Sequence, residues 1–164
     1  KQINLKQYAK IVNKFIKNKD SKIIFEPGRF IIGNTAILIT KVIYIKKSNN
    51  RNFVILDAGM NNLMRPALYD ANHQIIPLKK TGKFLKGNIE FVGPVCESSD
   101  KFSKQKRFTK IKEGDYISLA NVGAYGMSLS SNYNARPIIA EIMVSGSKHK
   151  TIRKRQSLEN LVNN

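Results

Sequence analysis

Tryptophan is absent from this 164-residue chain, which holds a single cysteine, five prolines and 11 acidic residues. One cysteine excludes an intrachain disulfide and a metal site built on a cysteine cluster, and no metal is expected. No apolar run approaches the ~18 residues needed to cross a membrane. The opening residues, KQINLKQYAK, lack the apolar core of a secretory peptide, so a cytoplasmic protein without a membrane partner is expected. There is no internal repeat and no low-complexity linker. The chain begins at Lys1 rather than Met, and it is expected to be a piece of something longer. Its length suits one ordinary domain, able to bury about 70% of its unfolded surface. An apolar fraction of 41% argues against wholesale disorder.

Against the 11 acids stand 29 Lys and Arg, for a net charge of +18. Such an excess suits a polyanion partner, because Lys and Arg release counterions from phosphates. Yet 22 of these cations are Lys and only 7 are Arg, beside 17 Asn and 21 Ile. A Lys/Asn/Ile excess is what an AT-rich coding sequence gives, whereas nucleic-acid sites lean on Arg forks and stacking aromatics. Compositional drift is preferred over a nucleic-acid partner. Small anionic ligands remain well served by the surface field.

Leu5, Tyr8, Val12 and Phe15 or Ile16 recur at helical spacing, which predicts a helix over 3–17 with Asn4 as its N-cap. Lys22–Phe25 reads as a short strand ended by Glu26-Pro27-Gly28-Arg29. From Ala36 to Lys46 the isoleucines 37, 39, 43 and 45 share one parity, the pattern of a half-buried strand. Asn49-Asn50 predicts a hairpin turn into a strand over 52–57. Further strands are expected at 88–92, 115–121, 136–144 and 148–153, and Ser157 is placed to cap a turn at 158–162. One helix–strand unit followed by a β-rich body resembles the tail of an α/β domain joined to a sheet domain.

Four polar clusters fall at loop positions: Glu26–Arg29, Asp57–Tyr69, Gly93–Asp100 and Gly123–Pro137. Taken separately, each has an ordinary reading. The first is a turn, although Gly28 admits close backbone approach and Arg29 can fork onto a carboxylate or phosphate. Arg65 and Tyr69 share a face only if their segment is helical. A lone cysteine such as Cys96 is more often a small buried apolar residue than a proton donor. Gly123-Ala124-Tyr125 can open a helix whose amides bind an anion, or can simply pack a tyrosine.

Together, EPGR at 26–29, DAGMNNLMRPALYDANH at 57–73, GPVCESSD at 93–100 and GAYGMSLSSNYNARPIIAEIMV at 123–144 resemble the C-terminal part of the diaminopimelate decarboxylase family. That family belongs to the alanine-racemase-like decarboxylases that use pyridoxal 5'-phosphate. The resemblance runs from the helix at 3–17 to IRKRQSLENL at 152–161. It implies a mainly β chain with some α. Residues 1–30 would be the last helix–strand unit of a (β/α)8 barrel, and residues 31–164 a β-barrel-like C-terminal domain. The family's cofactor-linking lysine and Gly-rich phosphate loop lie in earlier barrel strands, and no motif here matches them. The chain is therefore expected to be inactive alone. Gln156-Ser157 stands where the family usually has Glu-Thr.

The resemblance assigns roles by position. Glu26 matches the partner of the cofactor's pyridine nitrogen. Gly28, Arg29 and Tyr125 match cofactor-binding positions, and Arg29, Arg65, Tyr69, Glu97 and Tyr125 match substrate-binding positions. Cys96 matches the proton donor, and Glu97 the residue that meets the distal ammonium. The implied substrate is meso-2,6-diaminopimelate, converted to L-lysine and carbon dioxide. The implied protein partner is a second copy, with the Cys96–Glu97 loop reaching into its site, or a separate barrel half. The alternative is a non-catalytic remnant or the partner-binding half of a split enzyme.

Overall fold

The structure, a computed structural model, describes residues 3–79 and 81–163. Helix α1 (Leu5–Ile16) begins as expected, where the Asn4 side chain accepts a hydrogen bond from the Gln7 amide at 3.1 Å. It buries none of its residues, and only its Tyr8 ring meets an aromatic neighbour, Phe25, edge to face at 5.9 Å. Residues 22–25, expected as a strand, pair with nothing among the described residues and run as irregular chain. A strand needs a neighbour to take its backbone N–H and C=O groups.

After the short helix α2 (Arg29–Ile32) come β1 (Ile37–Ser48), β2 (Arg51–Leu56), α3 (Arg65–Tyr69), β3 (Ile75–Pro77), β4 (Phe84–Val92), β5 (Lys101–Thr109) and β6 (Tyr116–Ala120). The six strands form one sheet in the order β3-β6-β1-β2-β4-β5, antiparallel except where β2 runs parallel to β4. Helix α3 lies against β5, at the end of the sheet away from β3. The core comprises Val42, Val54, Leu56, Leu63, Ile89, Phe91, Ile117 and Leu119, among others. A second unit is the hairpin β7 (Glu141–Ser145) and β8 (Lys148–Arg153), followed by α4 (Leu158–Val162).

The long strand expected from Ala36 is present, but its core face is the other parity. Leu38, Thr40 and Val42 are buried, whereas Ile37, Ile39 and Ile43 are about half exposed. The alternation is real, yet both faces are apolar, so periodicity alone could not tell inside from outside. A bulge between Val42 and Tyr44 then reverses the parity and turns Ile45 toward Val54 in the core.

The expected burial is not reached. The chain exposes 12263 Å², against about 8,200 Å² for a compact monomer of its 18.6 kDa. That leaves about 55% of the unfolded surface buried rather than about 70%. The excess is concentrated in α1, in the isoleucine face of β1 with Ile76 and Tyr116, and in the β7–β8 hairpin with Ile142, Met143 and Val144 exposed. Among the described residues no helix is long and apolar enough to cross a membrane.

The departure at 156–157 is conservative in geometry. The Gln156 side-chain oxygen accepts from Asn132 Nδ2 at 2.6 Å and from the Ile138 amide at 3.0 Å. Both are bonds that a glutamate oxygen could also accept. Ser157 caps α4, accepting from the Asn160 amide at 3.1 Å.

Candidate active site

The turn at 26–29 and the loop after β6 meet face to face. A Cβ on Gly28 would touch the Tyr125 hydroxyl at 3.4 Å, so at this position the loops approach to within one methyl group. The contact is clasped from below, where the Gly123 amide donates to the Gly33 carbonyl at 3.1 Å. Any Cβ on Gly123 would collide with the Ile32 carbonyl oxygen. Tyr125 itself sits in left-handed backbone at φ 63, a conformation that costs a non-glycine residue roughly 1 kcal/mol or more. With that reversal, residues 123–129 form successive turns, and the alternative of a helix opening at Gly123 is not realised. No helical N-terminus is available there to hold an anion.

The segment 65–69 is helical, so Arg65 and Tyr69 do share a face. The Arg65 guanidinium lies 5.5 Å from the Tyr69 ring and 5.9 Å from the Tyr125 ring, within cation–π reach of both. The structure thus brings Gly28, Arg65, Tyr69 and Tyr125 into one cluster.

Sequence reasoning gave no role to a fifth member, His73. It is fully buried, and its Nδ1 lies 2.9 Å from the Ala120 carbonyl oxygen. A carbonyl only accepts, so Nδ1 carries the proton. Burial lowers the proton affinity of His73 below the ordinary value of 6.5, opposed by the Ala120 carbonyl and reinforced by the nearby charges of Arg29 and Arg65. The signal was the histidine closing DANH, which lies eight residues beyond Arg65 and looks like any core histidine.

Cys96 and Glu97 occupy a separate loop, both exposed. The loop is closed at its neck by Asp100. One carboxylate oxygen accepts from the Met60 amide at 2.7 Å and the other from the Val95 amide at 2.8 Å. The Gly93 amide donates to the Asp100 carbonyl at 3.0 Å. Burial pushes the Asp100 carboxyl above the usual aspartate value, while these amides and Arg136 pull the other way. Inside the loop the Glu97 carboxylate accepts from the Ser98 hydroxyl at 3.3 Å and the Ser99 amide at 3.4 Å. The Ser99 amide and then the Ser98 hydroxyl hold the Glu97 carboxyl below the usual glutamate range. Among the described residues no hydrogen bond, ion pair or ring contact joins Cys96 or Glu97 to Arg29, Arg65, Tyr69 or Tyr125, and none engages the exposed Glu26.

Arg136 ties the last cluster to the second. Its Nε donates to Asn61 Oδ1 at 3.1 Å and its terminal nitrogen to the Asp57 carbonyl. The loop from Asp57 to Met64 therefore carries α3 at one end and anchors the Cys96 loop through Met60.

Pyridoxal phosphate is an anion with an aromatic ring. The partners available for it here are the Gly28–Tyr125 approach and the Arg65 guanidinium beside the Tyr125 ring. The residues fit the group as one wall of a site, and among the described residues no lysine stands in that wall.

Residues 15–123 match the family model described as the C-terminal sheet domain of pyridoxal-dependent decarboxylases. The chain is 43% identical over 159 residues to a diaminopimelate decarboxylase of Zymomonas mobilis, covering 97% of the chain and 37% of that protein. It is 46% identical over 155 residues to that of Haemophilus influenzae, covering 94% of the chain and 37% of that protein. The crystal structure of diaminopimelate decarboxylase from Helicobacter pylori complexed with L-lysine superposes with a TM-score of 0.89 at 42% identity. That superposition covers 99% of the chain and 40% of the larger protein.

Proposed function

The chain belongs to the pyridoxal-dependent decarboxylases through their C-terminal sheet domain, and from that premise we propose that it forms part of an enzyme converting meso-2,6-diaminopimelate to L-lysine and carbon dioxide. The observation that carries the reading is the Gly28–Arg65–Tyr69–Tyr125 cluster, assembled from three separate stretches of chain. Residues 1–30 are read as the tail of a (β/α)8 barrel and 31–164 as the sheet domain. The setting is a cytoplasmic step of amino-acid biosynthesis.

Pyridoxal phosphate, when bound, supplies an electron sink for the pair left as carbon dioxide departs. The chain's residues do the rest. Gly28 would offer the phosphate a backbone without a side chain and Tyr125 a hydroxyl, with Arg29 next to Gly28 in sequence. Glu26, exposed at the same turn, is read as the residue that would keep a pyridine nitrogen protonated. Arg29 and Arg65 present cationic forks to the substrate carboxylates, and Tyr69 flanks Arg65. Glu97 meets the distal ammonium, and the Cys96 thiol returns a proton to Cα.

Because the Cys96–Glu97 loop, pinned by Asp100 to Met60, makes no hydrogen bond, ion pair or ring contact with the Tyr125 cluster among the described residues, the loop is read as serving the site of a second copy. The large exposed apolar surface supports a protein partner, either that copy or a barrel half. The test is reconstitution. The chain with cofactor alone should form no L-lysine. Adding a barrel polypeptide that carries the cofactor-linking lysine should yield L-lysine and carbon dioxide. Robust decarboxylation by the chain alone would overturn the proposal.

A further inference from the structure

Among the described residues, two buried side-chain nitrogen or oxygen atoms have no hydrogen-bond partner: Arg65 Nε and His73 Nε2. Both lie at the same site, eight residues apart in sequence. Arg65 follows directly on the loop that ends at Met64, and its carbonyl accepts from the Ala71 amide at 3.4 Å; its charge lies near enough to His73 to lower that ring's proton affinity. The two orphans are complementary. Guanidinium Nε–H can only donate. His73 Nε2 can only accept, because the Ala120 carbonyl holds the ring's proton on Nδ1. Buried polar atoms are almost always satisfied in folded proteins, so two lone ones of opposite kind in one place call for an explanation.

We propose that His73 is the positioning residue for Arg65: its Nε2 accepts the Arg65 Nε–H through one bridging water, and so fixes the plane of the guanidinium. Nε is the inner nitrogen of the fork. Holding it from behind leaves the two outer nitrogens free and parallel, the arrangement that grips a carboxylate bidentately. Stacking between Tyr69 and Tyr125 restrains the guanidinium but cannot by itself set the rotation about its own plane. An acceptor at Nε can. The role also explains why a neutral ring is needed. A protonated Nε2 would face Arg29 and Arg65 with a third positive charge and no lone pair. That the gripped carboxylate is the substrate's rests on the function proposed above, whereas the pairing itself does not.

The experiment reads the pairing without any ligand. In the isotopically labelled chain, nitrogen NMR should show His73 protonated at Nδ1 and bare at Nε2, with the Arg65 Nε–H protected from exchange with water. Two substitutions separate positioning from packing. His73→Asn keeps a donor for the Ala120 carbonyl but reaches no further. His73→Gln brings an amide oxygen to the Nε2 position and gives up that donor. Exchange of the Arg65 Nε–H should quicken by about tenfold or more in His73→Asn, the scale of one lost hydrogen bond, and stay near wild type in His73→Gln. Thermal stability should rank the two variants the other way. The proposal fails if the wild-type proton sits on Nε2, if the wild-type Arg65 Nε–H exchanges like a free guanidinium, or if exchange simply follows stability. Should neither variant fold, the wild-type spectrum alone decides.

Discussion

Gly93 leaves no room for a side chain beside Asp100: a Cβ at residue 93 would fall inside the Asp100 carboxylate. This absence lets the carboxylate sit in the neck of the Cys96–Glu97 loop and accept from Met60 and Val95 at once. Gly93→Ala should displace it and strand two amides, costing about 2–4 kcal/mol in denaturant unfolding. Asp100→Asn keeps the shape but turns one acceptor into a donor facing an N–H. It should cost about 1–3 kcal/mol. If Gly93→Ala unfolds at the wild-type denaturant midpoint, the neck is not what holds the loop.

His73 gives a pH signature. Its folded proton affinity lies below the unfolded value near 6.5, so the unfolded state takes up the proton first as pH falls. Stability should be full above about pH 7 and decline as pH drops through the 6.5 region. It should level off only once the folded ring is also protonated. Denaturant midpoints measured from pH 8 to pH 5 should show this decline, and His73→Gln should remove it. An unchanged midpoint across that range would contradict the buried neutral ring.

Cys96 is exposed, so its removal should barely change stability. As a general acid it should contribute on the order of 10²–10⁴-fold to turnover. In the reconstituted enzyme, Cys96→Ala should lower kcat by that range while KM stays within a few-fold. Full activity at saturating substrate would mark the cysteine as a bystander.

Glu97→Gln tests the substrate assignment. Losing one partner of a charge pair that closes over bound substrate should lower kcat/KM on diaminopimelate by ~10-fold or more. The loss should shrink for an analogue lacking the distal amine. Equal losses on both substrates would mean that Glu97 serves only its hydrogen bonds to Ser98 and Ser99.

Local signals carried far in this chain, and non-local ones did not. The N-caps Asn4 and Ser157 were legible because a cap needs only its own next turn. The motif residues Gly28, Arg65, Tyr69 and Tyr125 were legible as phrases, but their meeting depends on Gly123 clasping Gly33. Strand β5 escaped notice because lysines at 101, 104 and 106 crowd its exposed positions, while Phe102 and Phe108 reach the core. The inner face of β1 was misjudged because both of its faces are apolar. His73 was passed over because nothing local distinguishes a histidine that will be buried within reach of two arginine charges.

The central place of β1 has a consequence for how the polypeptide is made. Its residues Ile37–Lys41 pair with Tyr116–Ala120, so one flank of the strand has no mate until some seventy further residues have left the ribosome. At about 5–20 residues per second that is on the order of 4–15 s of translation. For that interval a bare strand flank and a row of isoleucines stand ready to pair with any other nascent chain. Holdase chaperones should therefore engage this segment during synthesis. Refolding from denaturant should also be slow and sensitive to concentration, as expected of sheets closed by distant pairings.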